Sequence, residues 1–124
     1  MELKLRRQGE TYIIDIHGKL DLYDSNQLKE LFLKMVEKEV QEFIINLEFT
    51  TDIDSSGIGT LISIYTLSQS NRLKFCIINI SGDNLKIMEL TRLGGFFPIA
   101  ENLDEAMARF AKWSELPDNS RSER

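Results

Sequence analysis

Two hydroxyls, Ser55 and Ser56, stand directly after the carboxylates of Asp52 and Asp54 and directly before Gly57 and Gly59. The run FTTDIDSSGIG opens an apolar-periodic stretch, Ile58, Leu61, Ile62 and Tyr65, whose spacing predicts a helix from about Ser56 to Ser70. The free backbone N–H groups and the positive dipole end of such a helix favour an anion. A phosphate on either serine would find donors there. The same residues also have a purely structural reading, in which a serine caps the helix and the glycines permit close packing against a neighbouring strand.

Enzymatic readings of these residues lack their partners. A phosphate-binding loop of the GxxxxGK[ST] type needs a lysine after the last glycine, and Thr60 follows Gly59. A nucleophile elbow needs GxSxG with an Asp and a His, whereas the serines follow Asp54 and the single histidine, His17, lies on an early strand. Asp52 and Asp54 form a DxD pair of the kind that binds hard cations, but no further acidic cluster follows, and solvation of an acidic loop accounts for them. Tyr65, Phe75, Phe96, Phe97 and Trp113 fall on predicted core faces and read as packing, with Phe96-Phe97 after Gly94-Gly95 also placed to form an interface patch.

Composition bounds what the whole chain can be. It has 124 residues, 42% of them hydrophobic, with 15 Lys and Arg against 20 Asp and Glu. That describes one ordinary globular domain able to bury a core without disulfides or metals. The formal charge of −5 argues against nucleic acid and anionic membrane as partners, since both require a basic patch. The charge is localised. No Lys or Arg occurs between Lys38 and Arg72, while Glu39, Glu42, Glu48, Asp52 and Asp54 all do, so the segment around Ser55 carries the entire excess. The lone Cys76 provides neither a disulfide framework nor a zinc cluster, and the first residues, MELKLRRQGE, lack the apolar core of a signal peptide. A reducing, cytoplasmic setting is expected. No apolar run is long enough to span a bilayer.

The elements that must hold these residues follow from hydrophobic period. Leu3 and Leu5, then Tyr12, Ile14 and Ile16 across Gln8-Gly9-Glu10, predict two strands joined by a tight turn. Gly18-Lys19-Leu20-Asp21 is a short extended piece, after which Asp24 or Ser25 is expected to cap a helix burying Leu28, Leu31, Phe32, Met35 and Val36. Residues 43–47 and 73–80 read as buried strands, residues 48–54 as a polar loop, and residues 84–93 as a short helix closed by Gly94-Gly95. A brief strand at 97–100 and a helix at 104–113, with Leu103, Ala106, Met107 and Phe110 inward, complete the domain. The fold class is therefore α/β: a mixed sheet with parallel central strands, right-handed crossovers and about four α-helices. Ligands and partners of such sheets meet the loops at the carboxyl ends of strands, which points to the loop after Leu47. The domain is expected over residues 1–114 and a disordered tail over 115–124, where DNSRSER contains no apolar residue.

With the elements placed, three short motifs in order, Gly18-Lys19-Leu20-Asp21, Asp54-Ser55-Ser56-Gly57-Ile58-Gly59 and Leu93-Gly94-Gly95-Phe96, resemble the anti-sigma factor antagonist family, the stand-alone STAS domains of bacterial partner-switching systems. The resemblance runs over about residues 2–113. It implies a non-enzymatic switch without cofactor or metal of its own: the unmodified protein binds an anti-sigma factor that is also a serine/threonine kinase and so releases the sigma factor. The kinase then phosphorylates Ser55, with Ser56 the neighbouring alternative, and a metal-dependent serine phosphatase reverses the modification. The partner contacts implied are Asp21, Asp54, Ser56, Gly57, Ile58, Gly59 and Thr60. Lys19 departs from the pattern, since many relatives carry Glu at that position. Two other outcomes fit the same residues: a module holding a nucleotide or other small anion at Ser56–Gly59, and a partner switch with an output other than a sigma factor.

Overall fold

The computed structural model describes residues 1–115; of the tail expected over 115–124 only Glu115 is among them, in a 3-10 turn with Trp113 and Ser114, and the rest lies outside the described residues. Strands β1 (Glu2–Gln8) and β2 (Thr11–Leu20) form an antiparallel hairpin, and helix α1 (Leu22–Glu37) leads to β3 (Glu42–Asn46). Then come β4 (Thr50–Ile53), α2 (Ser55–Ser70), β5 (Lys74–Ile78), α3 (Gly82–Leu90), β6 (Ile99–Ala100) and α4 (Leu103–Ala111). The sheet order is β1-β2-β3-β5-β6, parallel from β2 onward, with β4 pairing the far end of β2. The mixed sheet with a parallel centre and four α-helices is the architecture expected from the residue pattern. Among the described residues no helix is long and apolar enough to cross a membrane.

Both faces of the central strands are covered, which is why residues 43–45 and 75–78 are apolar without alternation. Ile14, Ile16, Phe43, Ile45, Phe75 and Ile77 face α1 and α2 in the larger core, together with Leu28, Phe32, Leu61 and Ile64. Ile13, Ile44, Cys76 and Ile78 face α4, whose Ala106 and Phe110 are buried and whose Leu103 and Met107 pack at the margin. Cys76 belongs to this second layer, where burial pushes its thiol up to about 11. It is therefore a protonated core residue at neutral pH.

The later elements keep their order with shifted ends, β5 at Lys74–Ile78 for 73–80, α3 at Gly82–Leu90 for 84–93, β6 at Ile99–Ala100 for 97–100 and α4 at Leu103–Ala111 for 104–113, and two further differences concern the site. Residues 48–54 are not wholly loop: Thr50–Ile53 form β4, parallel to the last three residues of β2. The short extended piece after His17 is likewise the end of β2 itself. A register shift between Gly18 and Lys19 lets the strand leave β3 and take up β4. Gly18 adopts φ +94°, a conformation that L side chains rarely hold, and its amide donates to Phe49 O at 3.0 Å. The second difference is the start of α1. Its cap is Asp21, not Asp24 or Ser25, so the helix begins at Leu22.

Candidate functional site

The site is built where β2 and β4 end side by side. Lys19 lies opposite Asp52 and Leu20 opposite Ile53, and the Asp54 amide donates to Leu20 O at 3.2 Å. Leu20 and Ile53 point into the core, so the alternation of the strands turns Lys19 and Asp52 outward. Each strand then ends on an aspartate that caps the next helix. Asp21 Oδ1 accepts from the amides of Tyr23 at 3.1 Å and Asp24 at 3.2 Å, and Asp54 Oδ1 accepts from Gly57 at 2.9 Å. Two of the three motifs singled out in the sequence, GKLD and DSSGIG, are thus one structure, adjacent strand ends feeding adjacent helices, while Leu93-Gly94-Gly95 forms a short 3-10 turn after α3.

Because Asp54 performs the capping, the serines do not. Ser55 is the first residue of α2 and is exposed, while Ser56 is half-buried. The amides of Gly57 and Ile58 are engaged by the side chain and carbonyl of Asp54, which leaves those of Ser55 and Ser56 as the unfilled donors of the first turn. Gly57 has a steric reason to be glycine. A Cβ there would stand 2.3 Å from Leu20 O and 3.0 Å from both Ile53 Cγ2 and Leu20 Cγ. Gly59 has none: it is exposed, and a Cβ would meet nothing within 4 Å. The packing role expected for both glycines therefore holds for Gly57 alone. Ile58 packs at the edge of the larger core and Thr60 is half-buried.

Two hollows flank this turn. One, of about 260 Å³, is lined by Lys19, Leu20, Asp21, Asp52 and Asp54. The other, of about 310 Å³, runs between α1 and α2 and is lined by Leu22, Ser25, Asn26 and Lys29 on one side and Ser56, Gly59, Thr60 and Ser63 on the other. These hollows correct the charge picture. Residues 39–71 contain no base in sequence, yet the topology brings Lys19 among the carboxylates and Lys29 to the same groove as Ser56. The acidic surface is interrupted by cations from β2 and α1.

Leu22 and Tyr23 are the residues that sequence reasoning passed over. They are 66% and 89% exposed, at the first turn of α1 and directly after Asp21. A signal existed, since neither falls on the stripe defined by Leu28, Phe32 and Met35. His17 stacks on Phe49, with ring centroids 4.6 Å apart and planes at 10°. Among the described residues, no three His, Cys, Asp or Glu side chains come together as a metal-binding group.

Comparison with known proteins gives a consistent relationship. The anti-sigma-B factor antagonist of Staphylococcus aureus is 22% identical over 104 residues, covering 84% of this chain and 96% of the relative. A Thermotoga maritima protein described as a candidate anti-sigma factor antagonist superposes with a TM-score of 0.80 at 18% identity, covering 86% of this chain and 92% of that one. The anti-sigma factor antagonist SpoIIAA superposes in its unphosphorylated form with a TM-score of 0.68 at 20% identity, over 90% of this chain and 98% of that one. The phosphorylated form of this Bacillus cell-fate determinant gives 0.68 at 21% identity, over 88% and 99%. The family description that matches residues 2–106 is that of the STAS domain, and on that match, together with the strand-end and helix-cap geometry, the chain belongs to the STAS domain family.

Proposed function

We propose that this chain is an anti-sigma factor antagonist that works as a phosphorylation-controlled binding protein and not as an enzyme. Unmodified, it binds an anti-sigma factor serine/threonine kinase through Asp21, Asp54, Ser56, Gly57, Ile58, Gly59 and Thr60. Phosphorylation of Ser55 by that kinase ends the binding, and a metal-dependent serine phosphatase restores it. The kinase supplies ATP and magnesium. The observation that carries this reading is the placement of Ser55 as an exposed first residue of α2 whose capping function has been taken over by Asp54. The serine hydroxyl is left available for modification.

A phosphoryl group adds about −1.5 to −2 charge at neutral pH. Within the free domain that charge meets the unfilled amides of the α2 first turn, so the fold tolerates it. The equal likeness to the two forms of SpoIIAA supports a change of surface charge without a change of fold. In a complex the group must be desolvated beside Asp54, with Asp52 and Asp21 on the same rim. Lys19 stands on the same rim, but three carboxylates against one ammonium leave it net acidic. Moving a complex from nearly full to nearly absent requires roughly 5.5 kcal/mol, which desolvation, repulsion and steric overlap together must supply.

The experiment is phosphorylation by the anti-sigma factor kinases of the source organism with ATP, followed by mass-spectrometric mapping and by binding measurements on variants. Phosphate is expected on Ser55. Ser55→Ala should bind as wild type and resist modification, whereas Ser55→Asp should bind weakly. A chain left unmodified at both serines, or three forms of equal affinity, would overturn the reading.

A further inference from the structure

We propose that Leu22 and Tyr23 anchor the bound kinase, seating in an apolar pocket of that protein rimmed by arginine or lysine. This rests on the reading of the chain as a kinase-binding switch and adds to it a contact outside the DSSGIG motif. The two side chains are 66% and 89% exposed, and folding gives them no role, since the buried residues of α1 are Ser25, Leu28, Phe32 and Met35. Exposed apolar residues are ordinary when scattered singly, but these are consecutive and lie beside the proposed binding face. Leu22 lines the same groove as Ser56, Gly59 and Thr60.

Their backbone is already fixed. Asp21 accepts from the Tyr23 and Asp24 amides through its side chain, and from the Ser25 amide at 2.9 Å through its carbonyl. A partner therefore meets an ordered turn and need only immobilise the two side chains, which lowers the entropic cost of docking. Tyrosine is a common hot-spot residue because its large ring carries few rotatable bonds. The surrounding charge selects the occupant. In the neighbouring hollow Asp21, Asp52 and Asp54 outnumber Lys19, and Lys29 lies farther along α1 in the groove that Leu22 lines, so a cationic rim is attracted on the Asp21 side, while an anionic lipid surface or the same net acidic face of a second copy is repelled. Both anchors belong to α1, whereas Ser55 belongs to α2. They contribute to holding the kinase and not to the transfer of phosphate.

The test uses the kinase found to phosphorylate the wild-type chain, with the variants Tyr23→Ala, Leu22→Ala and Tyr23→Phe. Thermal melting should be unchanged in all three. Tyr23→Ala should raise the dissociation constant about tenfold and raise the kinase's KM for the unmodified chain as substrate with kcat retained, and Tyr23→Phe should restore both. Alanine variants that bind within about twofold of wild type, while Ser55 is still modified, overturn this inference alone. Sedimentation showing a wild-type dimer that Tyr23→Ala dissolves would assign the surface to a second copy. Binding to phosphatidylglycerol vesicles that Tyr23→Ala abolishes would assign it to a membrane. Failure of any kinase to modify the wild-type serines overturns the functional reading first, and this inference falls with it.

Discussion

The two glycines of the DSSGIG motif separate what the fold requires from what binding requires. A methyl group on Gly57 collides with the carbonyl of Leu20, a backbone atom that cannot rotate away. Gly57→Ala should therefore destabilise the domain by about 1–3 kcal/mol, the range for overpacking, visible as a lower melting temperature. Gly59 sits in a helix interior with open space around it, where glycine is worse than alanine by about 0.5–1 kcal/mol. Gly59→Ala should raise the melting temperature and, under the proposed function, weaken kinase binding by crowding the α1–α2 groove. A stability loss in Gly59→Ala, or unchanged affinity, would contradict that division. The sequence could not make this distinction, because spacing alone assigns both glycines the same packing role, and only the approach of Leu20 separates them.

At the scale of elements, β2 does the most, since it pairs with β1, β3 and β4 and carries a buried charge in the middle of the sheet. Asp15, 6% exposed, receives Arg6 Nε at 2.6 Å and Nη2 at 2.9 Å, together with Asn46 Nδ2 at 2.8 Å. Asn46 in turn accepts from Asn79 and from the Glu48 amide, which ties the network to the start of the segment leading into β4. Burial alone would push the Asp15 carboxyl up, but the hydrogen bonds from Arg6 and Asn46, together with the Arg6 charge and His17, outweigh it and hold the group below its ordinary value. A depressed carboxylate stabilises the fold above the unfolded value of about 3.9, and that contribution is lost as pH falls through the folded value. Wild type should thus lose stability from about pH 4 downward more steeply than Asp15→Asn, which should be less stable at pH 7. Urea titrations at pH 7 and at several values below about pH 4 measure this, and parallel pH dependences would exclude Asp15 as the source.

The same scale shows what could be read from the sequence and what could not. Helices α1, α2 and α4 were legible because each buries a stripe of period 3.6, and β3 and β5 because they are short, β-branched and apolar. Strand β4 was not legible. Thr50-Thr51-Asp52-Ile53 has no apolar alternation, and it is a strand only because β2 bends at Gly18 to meet it. The start of α1 was missed for a related reason: Asp21, Asp24 and Ser25 are all acceptable caps, and the end of β2 selects the first.

For the whole molecule, charge illustrates how folding rearranges a sequence property. The acidic segment was legible as a base-free run of residues, but Lys19 and Lys29 reach the site from β2 and α1 and are invisible to any count along the chain. The proposed switch acts at this surface and leaves the two core layers untouched. A chain carrying phosphoserine at position 55 should therefore retain its far-ultraviolet circular dichroism and melt cooperatively, with a shift corresponding to no more than about 1 kcal/mol. Loss of cooperative melting on phosphorylation would mean that the switch operates by unfolding.

The meeting of Leu20 with Asp54 and Gly57 brings together two stretches more than thirty residues apart in the chain. The surface around Ser55 is consequently a discontinuous epitope. It comes into being only when β4 has paired with the end of β2 across the intervening α1 and β3, an event that carries the entropic cost of a long loop. A short peptide containing DSSGIG lacks the Asp21 half and the helix N-terminus, so it should be a poor substrate for a kinase that recognises the assembled face. Phosphorylation would then be confined to finished molecules, and nascent or misfolded copies would neither capture the kinase nor be marked by it.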